Sequence, residues 1–307
     1  MIEVKGFSFT YPTGSRPALT DVAFEVAPRE LCAVVGGGGA GKSTLAGVVS
    51  GTVPHLTGGT AEGVVRVNGR DLAETPLSGL VGEVGLVMQN PFNQISGARF
   101  SVREEIAFGL ENLGVPRDEM AARIDPVLED LGLTGVRDRS PYELSGGQQQ
   151  LLAIGSILVM RPTVMVLDEP TSQLDAAGNA LVFDALGTLK EQGVTVLLIE
   201  HRMERLARAA DRVLVLDRGA IVAQGPPGEV LADERLEEWG VSPLRYTVAA
   251  RRAAARRLWP DRKPLPVTLD AAAEGFGETA GRLYRGDRGD RGDRGDRGDR
   301  GDRGDRR

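Results

Sequence analysis

The sequence predicts an α/β fold in which a mostly parallel sheet is covered by helices and interrupted by a helical insertion. Three observations predict it. Short apolar runs recur at 31–35, 84–88, 164–167, 194–199 and 212–216, and runs of that length without alternation suit strands buried on both faces. Helical patterns lie between several of them, as at 179–192, and such alternation argues for parallel pairing through crossover helices. Between Ser101 and Asp138 the strand signal disappears. There Ile106, Phe108, Leu110 and Leu113, then Met120, Ile124, Val127, Leu128 and Leu131, recur at helical spacing.

At the start of the chain, Ile2, Val4, Phe7 and Phe9 alternate as in a strand. Glu3 and Lys5 interrupt this apolar start, so no secretory leader is expected. The 307 residues are 41% hydrophobic, enough to fill a core and exclude wholesale disorder. Lys and Arg number 37 against 43 Asp and Glu, a net charge of -6. That acidic balance opposes non-specific nucleic-acid binding, so no nucleic-acid partner is expected. The single cysteine, Cys32, excludes an intrachain disulfide and a cysteine metal cluster, and fits a reducing compartment. The best apolar run, 151–160, contains Gly155 and Ser156 and is about half the ~18 residues of a membrane span. A membrane role would therefore need a separate partner.

Residues 1–232 are expected to form the main domain, with the helical insertion at about 95–160. Residues 233–284 read as a helical extension. Leu236, Trp239 and Val241 are its apolar positions, Arg251, Arg252, Arg256 and Arg257 make a basic helix, and Pro260, Pro264 and Pro266 break it. Its basic face suits packing on a partner subunit better than lying on a membrane. From Arg285 the triplet Arg-Gly-Asp repeats seven times and ends at Arg306-Arg307. With no apolar residue it cannot bury a core, and with no proline it is not collagen-like; a disordered polyampholyte is expected.

The strongest motif is Gly36-Gly37-Gly38-Gly39-Ala40-Gly41-Lys42-Ser43-Thr44, a P-loop between a buried strand and a helix expected from Leu45. Gly36, Gly39 and Gly41 leave backbone amides free to curl around phosphate oxygens. The helix N-terminus adds partial positive charge, Lys42 reaches the β- and γ-phosphates, and the Ser43 hydroxyl binds Mg²⁺. The strand at 164–167 delivers Asp168 and Glu169 to its C-terminal end, the ligand side of such a sheet. Asp168 is expected on Mg²⁺ and Glu169 as general base for an attacking water. Lys42 and Asp168 are 126 residues apart, room for the insertion. A third motif, Leu144-Ser145-Gly146-Gly147-Gln148, opens a helical run at 149–160 and is a second anion cradle. Two cradles suit a head-to-tail dimer in which Ser145, Gly146, Gly147 and Gln148 cap the triphosphate held by the other copy.

P-loop, LSGGQ and LDEP in this order resemble the ATP-binding subunits of ABC transporters, over residues 2 to about 230. The resemblance implies a P-loop nucleoside triphosphatase with an antiparallel β subdomain beside the parallel sheet. It implies that Tyr11 stacks on adenine, that Gln89 reaches metal and water, that Asp175 contacts the opposite subunit, and that His201 touches the γ-phosphate. Thr44 belongs to the same nucleotide set, and His55 matches no catalytic position. Val53-Pro54-His55-Leu56, Gln89-Asn90-Pro91, Thr171 through Asp175, Ile199-Glu200-His201-Arg202 and the stretch 264–269 are similar to the energy-coupling factor group. Leu151, where the family has Arg, and Ala176, where it has Pro, depart from the pattern. The resemblance implies an ATPase, with ATP and Mg²⁺ as its ligands, coupled to uptake of a vitamin or metal ion. Its expected partners are a second such subunit, the same or a paralogue, and integral membrane subunits, at the cytoplasmic face of the membrane. Rival readings are a soluble ABC ATPase outside transport and a regulatory module that closes on ATP without turnover. A simple P-loop kinase would explain neither the signature nor His201.

Overall fold

The computed structural model describes residues 1–289, with side chains described to Ala280. Ten strands follow one another among the described residues: β1 (Ile2–Thr10), β2 (Leu19–Val26), β3 (Leu31–Val35), β4 (Thr60–Val67), β5 (Arg70–Asp71), β6 (Val84–Val87), β7 (Val164–Asp168), β8 (Thr195–Ile199), β9 (Arg212–Asp217) and β10 (Ala220–Gly225). β1 buries Ile2, Val4, Phe7 and Phe9, a set that breaks strict alternation between 4 and 7. A bulge absorbs the extra residue. Val4 pairs with Phe24 and Phe7 with Val22, so three residues of β1 span two of β2. Gly6 lies in this bulge at φ +54, where a side chain would be strained.

Two sheets result. One is antiparallel, in the order β2-β1-β4-β5. The other runs β10-β9-β3-β8-β7-β6, parallel from β9 to β6, with β10 antiparallel at its edge. β3, β7 and β8 are buried at every residue, as strands covered on both faces must be. One apolar cluster joins the sheets and takes in Phe9, Leu19 and Val26 together with Leu45, Val49, Val166 and Ile199.

The helices of the first unit are α1 (Lys42–Val49), α2 (Thr52–His55), α3 (Val102–Asn112), α4 (Arg117–Asp130), α5 (Gly146–Leu158), α6 (Ala176–Glu191), α7 (Met203–Ala209) and α8 (Pro227–Val230). α1, α5 and α6 each start three residues before the apolar periodicity predicts. Their first residues, Lys-Ser-Thr in α1, Gly-Gly-Gln in α5 and Ala-Ala-Gly in α6, carry no large apolar side chain to signal the helix, while Ser145 and Asp175 cap α5 and α6 from outside. In the insertion α3 buries Val102, Ile106 and Leu110, whereas Leu113 is the exposed cap residue of the helix. Gly155 lets α5 approach closely: a Cβ there would lie 3.1 Å from Leu131 and 3.5 Å from Ile106.

The chain divides into two units between Leu244 and Arg245, twelve residues beyond the boundary read from composition. Residues 239–240 belong to the first unit because the Gly37 amide donates to the Trp239 carbonyl (3.1 Å). The second unit holds α9 (Arg245–Ala255) and α10 (Leu269–Gly289). Arg256 and Arg257, expected within the basic helix, lie past its end. Leu258 N–H bonds Ala253 and Arg257 N–H bonds Ala254, with Arg257 at φ +58, a Schellman closure without glycine. The proline-rich stretch is tied to α9 by Tyr246, whose hydroxyl donates to the Val267 carbonyl (2.9 Å), and Trp259 meets Phe276 edge-on. α10 continues five residues into the Arg-Gly-Asp repeat, where no structure is predicted; the rest of that repeat lies outside the described residues. No described helix is long and apolar enough to cross a membrane.

Candidate functional site

The C-terminal ends of β3, β7 and β8 open into a cavity of about 550 Å³. Its floor is the β3–α1 loop, with Gly38, Gly39, Gly41, Lys42, Ser43 and Thr44 in the lining. Gly36 could not be another residue: a Cβ there would lie 2.1 Å from the Leu216 carbonyl oxygen. A Cβ at Gly38 or Gly39 would meet nothing within 4 Å, so open space lies beside this part of the loop. Lys42 is 7% exposed and its ammonium donates to the carbonyls of Gly36 (3.0 Å) and Gly37 (2.9 Å). Burial lowers its pKa, against the pull of Glu169 and Asp168.

Asp168 ends β7 and Glu169 follows at φ +49, a left-handed conformation costing about 1–3 kcal/mol in a non-glycine residue. The Glu169 amide donates to the Ile199 carbonyl (3.0 Å), which holds that turn against β8. Its carboxylate accepts from Gln89 Nε2 (2.8 Å) and lies 2.6 Å from His201 Nε2. Gln89, Glu169 and His201, far apart in the chain, are thus one hydrogen-bonded group, and Glu169 and His201 both line the cavity. Burial pushes the Asp168 carboxyl above its ordinary value, the hydrogen bond from Ser43 pulls it down, and Glu169 adds to the rise. Asp168 Oδ1 is buried with no hydrogen-bond partner. A hydroxyl beside a buried carboxylate oxygen with spare lone pairs fits Mg²⁺, which takes one or two protein oxygens and completes its shell with phosphates and water.

The profile of the ABC transporter family matches residues 19–172. A relative from Lacticaseibacillus paracasei, named energy-coupling factor transporter ATP-binding protein EcfA1, is 42% identical over 76% of this chain and 81% of its own length. This chain belongs to the ABC transporter ATP-binding family. The fold agrees. CbiO1 from Clostridium perfringens, described as part of the ABC transporter complex CbiONQ, superposes with a TM-score of 0.67 at 28% identity, over 83% of this chain and 94% of that one. An ATP-binding cassette described as a dimeric post-hydrolysis state bound to ADP and Pi superposes at 0.64 with 25% identity, over 74% and 99%. Other relatives are longer. The chain spans 41% of a Methanosarcina acetivorans relative and 48% of one from Streptomyces avermitilis, both provisionally named ABC transporter ATP-binding proteins, at 39% and 44% identity over 81% and 84% of this chain.

This ABC cassette does not bring its signature to the P-loop cavity. Ser145 caps α5, accepting from the Gln148 amide while Gln148 Oε1 accepts from the Ser145 amide. Gly146 and Gly147 lie beside Gln173 and Leu174. Asp175 caps α6 by accepting from the Gly178 amide (2.8 Å). Leu151, in place of the family's Arg, is buried, so the signature helix is held there by packing. Ala176 takes the first helical position, where Pro is favoured but not required. The Tyr11 ring packs edge-on to Phe9 and its hydroxyl meets Thr44 Oγ1 at 3.1 Å; it is not among the residues lining the cavity. His55 bonds the Leu72 carbonyl, away from the cavity.

Sequence reasoning missed Arg16, Ala18, Arg218 and Gly219, which form the wall beside the P-loop. They come from a loop and a hairpin turn, which have no periodicity to read. It also gave no role to Glu200, 3% exposed, although an acid ending an apolar strand was the very signal that singled out Asp168.

Proposed function

We propose that this chain is the ATP-hydrolysing subunit of an energy-coupling factor type importer, working as one of a pair. The observation that carries this reading is the contact of Glu169 with both Gln89 and His201 beside the glycine-rich loop. The triphosphate lies along the loop amides, and the Lys42 ammonium exchanges two neutral carbonyls for β- and γ-phosphate oxygens, stronger charge-assisted partners. Tyr11 stacks on the adenine. Glu169 takes a proton from the attacking water, while Gln89 and His201 hold its carboxylate in line and His201 faces the γ-phosphate. Ser43, Asp168 and Gln89 would hold Mg²⁺, which when bound neutralises charge on the β- and γ-phosphates.

Two copies, or this chain and a paralogue, enclose two ATP molecules. Ser145, Gly146, Gly147 and Gln148 of one cap the triphosphate on Lys42 of the other, and Asp175 meets the opposite subunit. The paired relative with ADP and Pi supports this arrangement. Hydrolysis loosens the pair, and energy passes as the difference in ATP affinity between closed and open states. The description of EcfA1 as an energy-coupling factor transporter protein and of CbiO1 as part of a transporter complex supports work alongside other transporter subunits; in this reading those are integral membrane subunits, the cargo is a vitamin or metal ion, and this chain sits at the cytoplasmic face. Exposed Met88, Phe92, Phe100 and Tyr142 around the Gln89 segment and the insertion offer such a subunit apolar surface. Residues 1–244 act as the cassette and 245–284 as the extension against a partner.

Glu169→Gln tests the reading. Phosphate release falls about 10²- to 10⁴-fold, the usual worth of a general base, while ATP binding persists. Unchanged turnover in that variant refutes the base.

A further inference from the structure

We infer that Glu200, with Thr171, is the positioning pair that sets the spacing of Glu169 and His201; the inference rests on the ATPase reading above. Glu200 follows the last residue of β8 and is 3% exposed. A buried carboxylate is costly unless donors surround it, and here three do. Oε1 accepts from two successive amides, His201 (2.8 Å) and Arg202 (3.1 Å), which folds the switch turn tightly around its own side chain. Oε2 accepts from the Thr171 hydroxyl, itself 1% exposed.

Thr171 lies two residues past Glu169. The backbone ladder between β7 and β8 ends at Asp168 and Ile199, followed by the bond from the Glu169 amide to the Ile199 carbonyl. The Thr171–Glu200 bond adds one side-chain rung beyond the end of the sheet. It fixes the turn bearing Glu169 against the turn bearing His201, whose side chains meet at 2.6 Å. Separately, the Thr171 backbone carbonyl accepts from the Leu174 amide (3.1 Å), which ties the loop leading to Asp175 to the same turn. Glu200 touches neither phosphate nor water in this scheme; it acts through His201 and Glu169.

The test uses the full chain, with steady-state phosphate release at saturating Mg-ATP and ATP affinity from a fluorescent analogue. Thr171→Val removes the hydroxyl at similar volume, and Thr171→Ser restores it. Misplacement of catalytic groups by an ångström costs up to about 10²-fold, so Thr171→Val should lose about 10- to 100-fold in kcat with little change in ATP affinity. Thr171→Ser should recover most of it. Glu200→Ala should fall similarly, and the double variant no further than the deeper single one, because both remove the same rung. Wild-type kcat in Thr171→Val, a loss that Thr171→Ser does not restore, or a parallel collapse of ATP affinity overturns the inference. Wild-type protein that binds ATP and releases no phosphate overturns the ATPase reading instead.

Discussion

Asp168 is not fully satisfied by protein atoms alone: it is buried, with one oxygen lacking a partner. Because burial raises its folded pKa above the unfolded value, the charged form is worse off in the folded chain. Its carboxylate therefore lowers stability above the unfolded pKa, and the penalty disappears as pH falls below that value. Asp168→Asn should raise Tm at pH 7, by about 2–4 °C per kcal/mol relieved, with the gain shrinking on acidification through the carboxylate range. Turnover should be lost at the same time. Melting curves without nucleotide at pH 7 and at lower pH check the sign; equal gains at both would contradict it. Gly36→Ala places a methyl against the Leu216 carbonyl. Overpacking of that kind costs about 1–3 kcal/mol, and weaker ATP binding in a titration should accompany the lower Tm.

At the scale of elements, the insertion stands on α3, α4 and α5 packing together. Ile106 is 0% exposed at their centre, so Ile106→Ala should cost about 2–5 kcal/mol, read as a lower denaturant midpoint. The helical spacing of Ile106, Leu110, Ile124 and Leu128 was legible because those side chains face one core. Starts of helices were less legible. α5 begins on two glycines of weak helical preference and α6 on two alanines too small to mark an apolar stripe, and caps hold both starts. Likewise, β1 keeps its inward face only through a bulge, which shifts the alternation by one.

At the scale of the molecule, the signature of one chain stands apart from its own P-loop cavity. The pairing in the proposed mechanism follows from that separation. In a Glu169→Gln background, Ser145→Arg should abolish ATP-driven dimerisation, read by light scattering, while ATP still binds. A dimer that persists would remove Ser145 from the interface. Deleting 285–307 should leave ATPase turnover within about twofold, since a chain without apolar residues buries no core.

The parallel strands, the P-loop and the acids at the end of β7 could be read from sequence because each depends on local chemistry: apolar runs, glycine spacing, a carboxylate at a strand end. The hydrogen-bonded joining of Gln89, Glu169 and His201, the burial of Glu200 against Thr171, and the seating of Trp239 behind Gly37 came only with the tertiary structure. Those contacts join residues far apart along the chain. Most are made by turns at the ends of neighbouring strands, and side-chain periodicity carries no information about which turns the sheet order will set side by side.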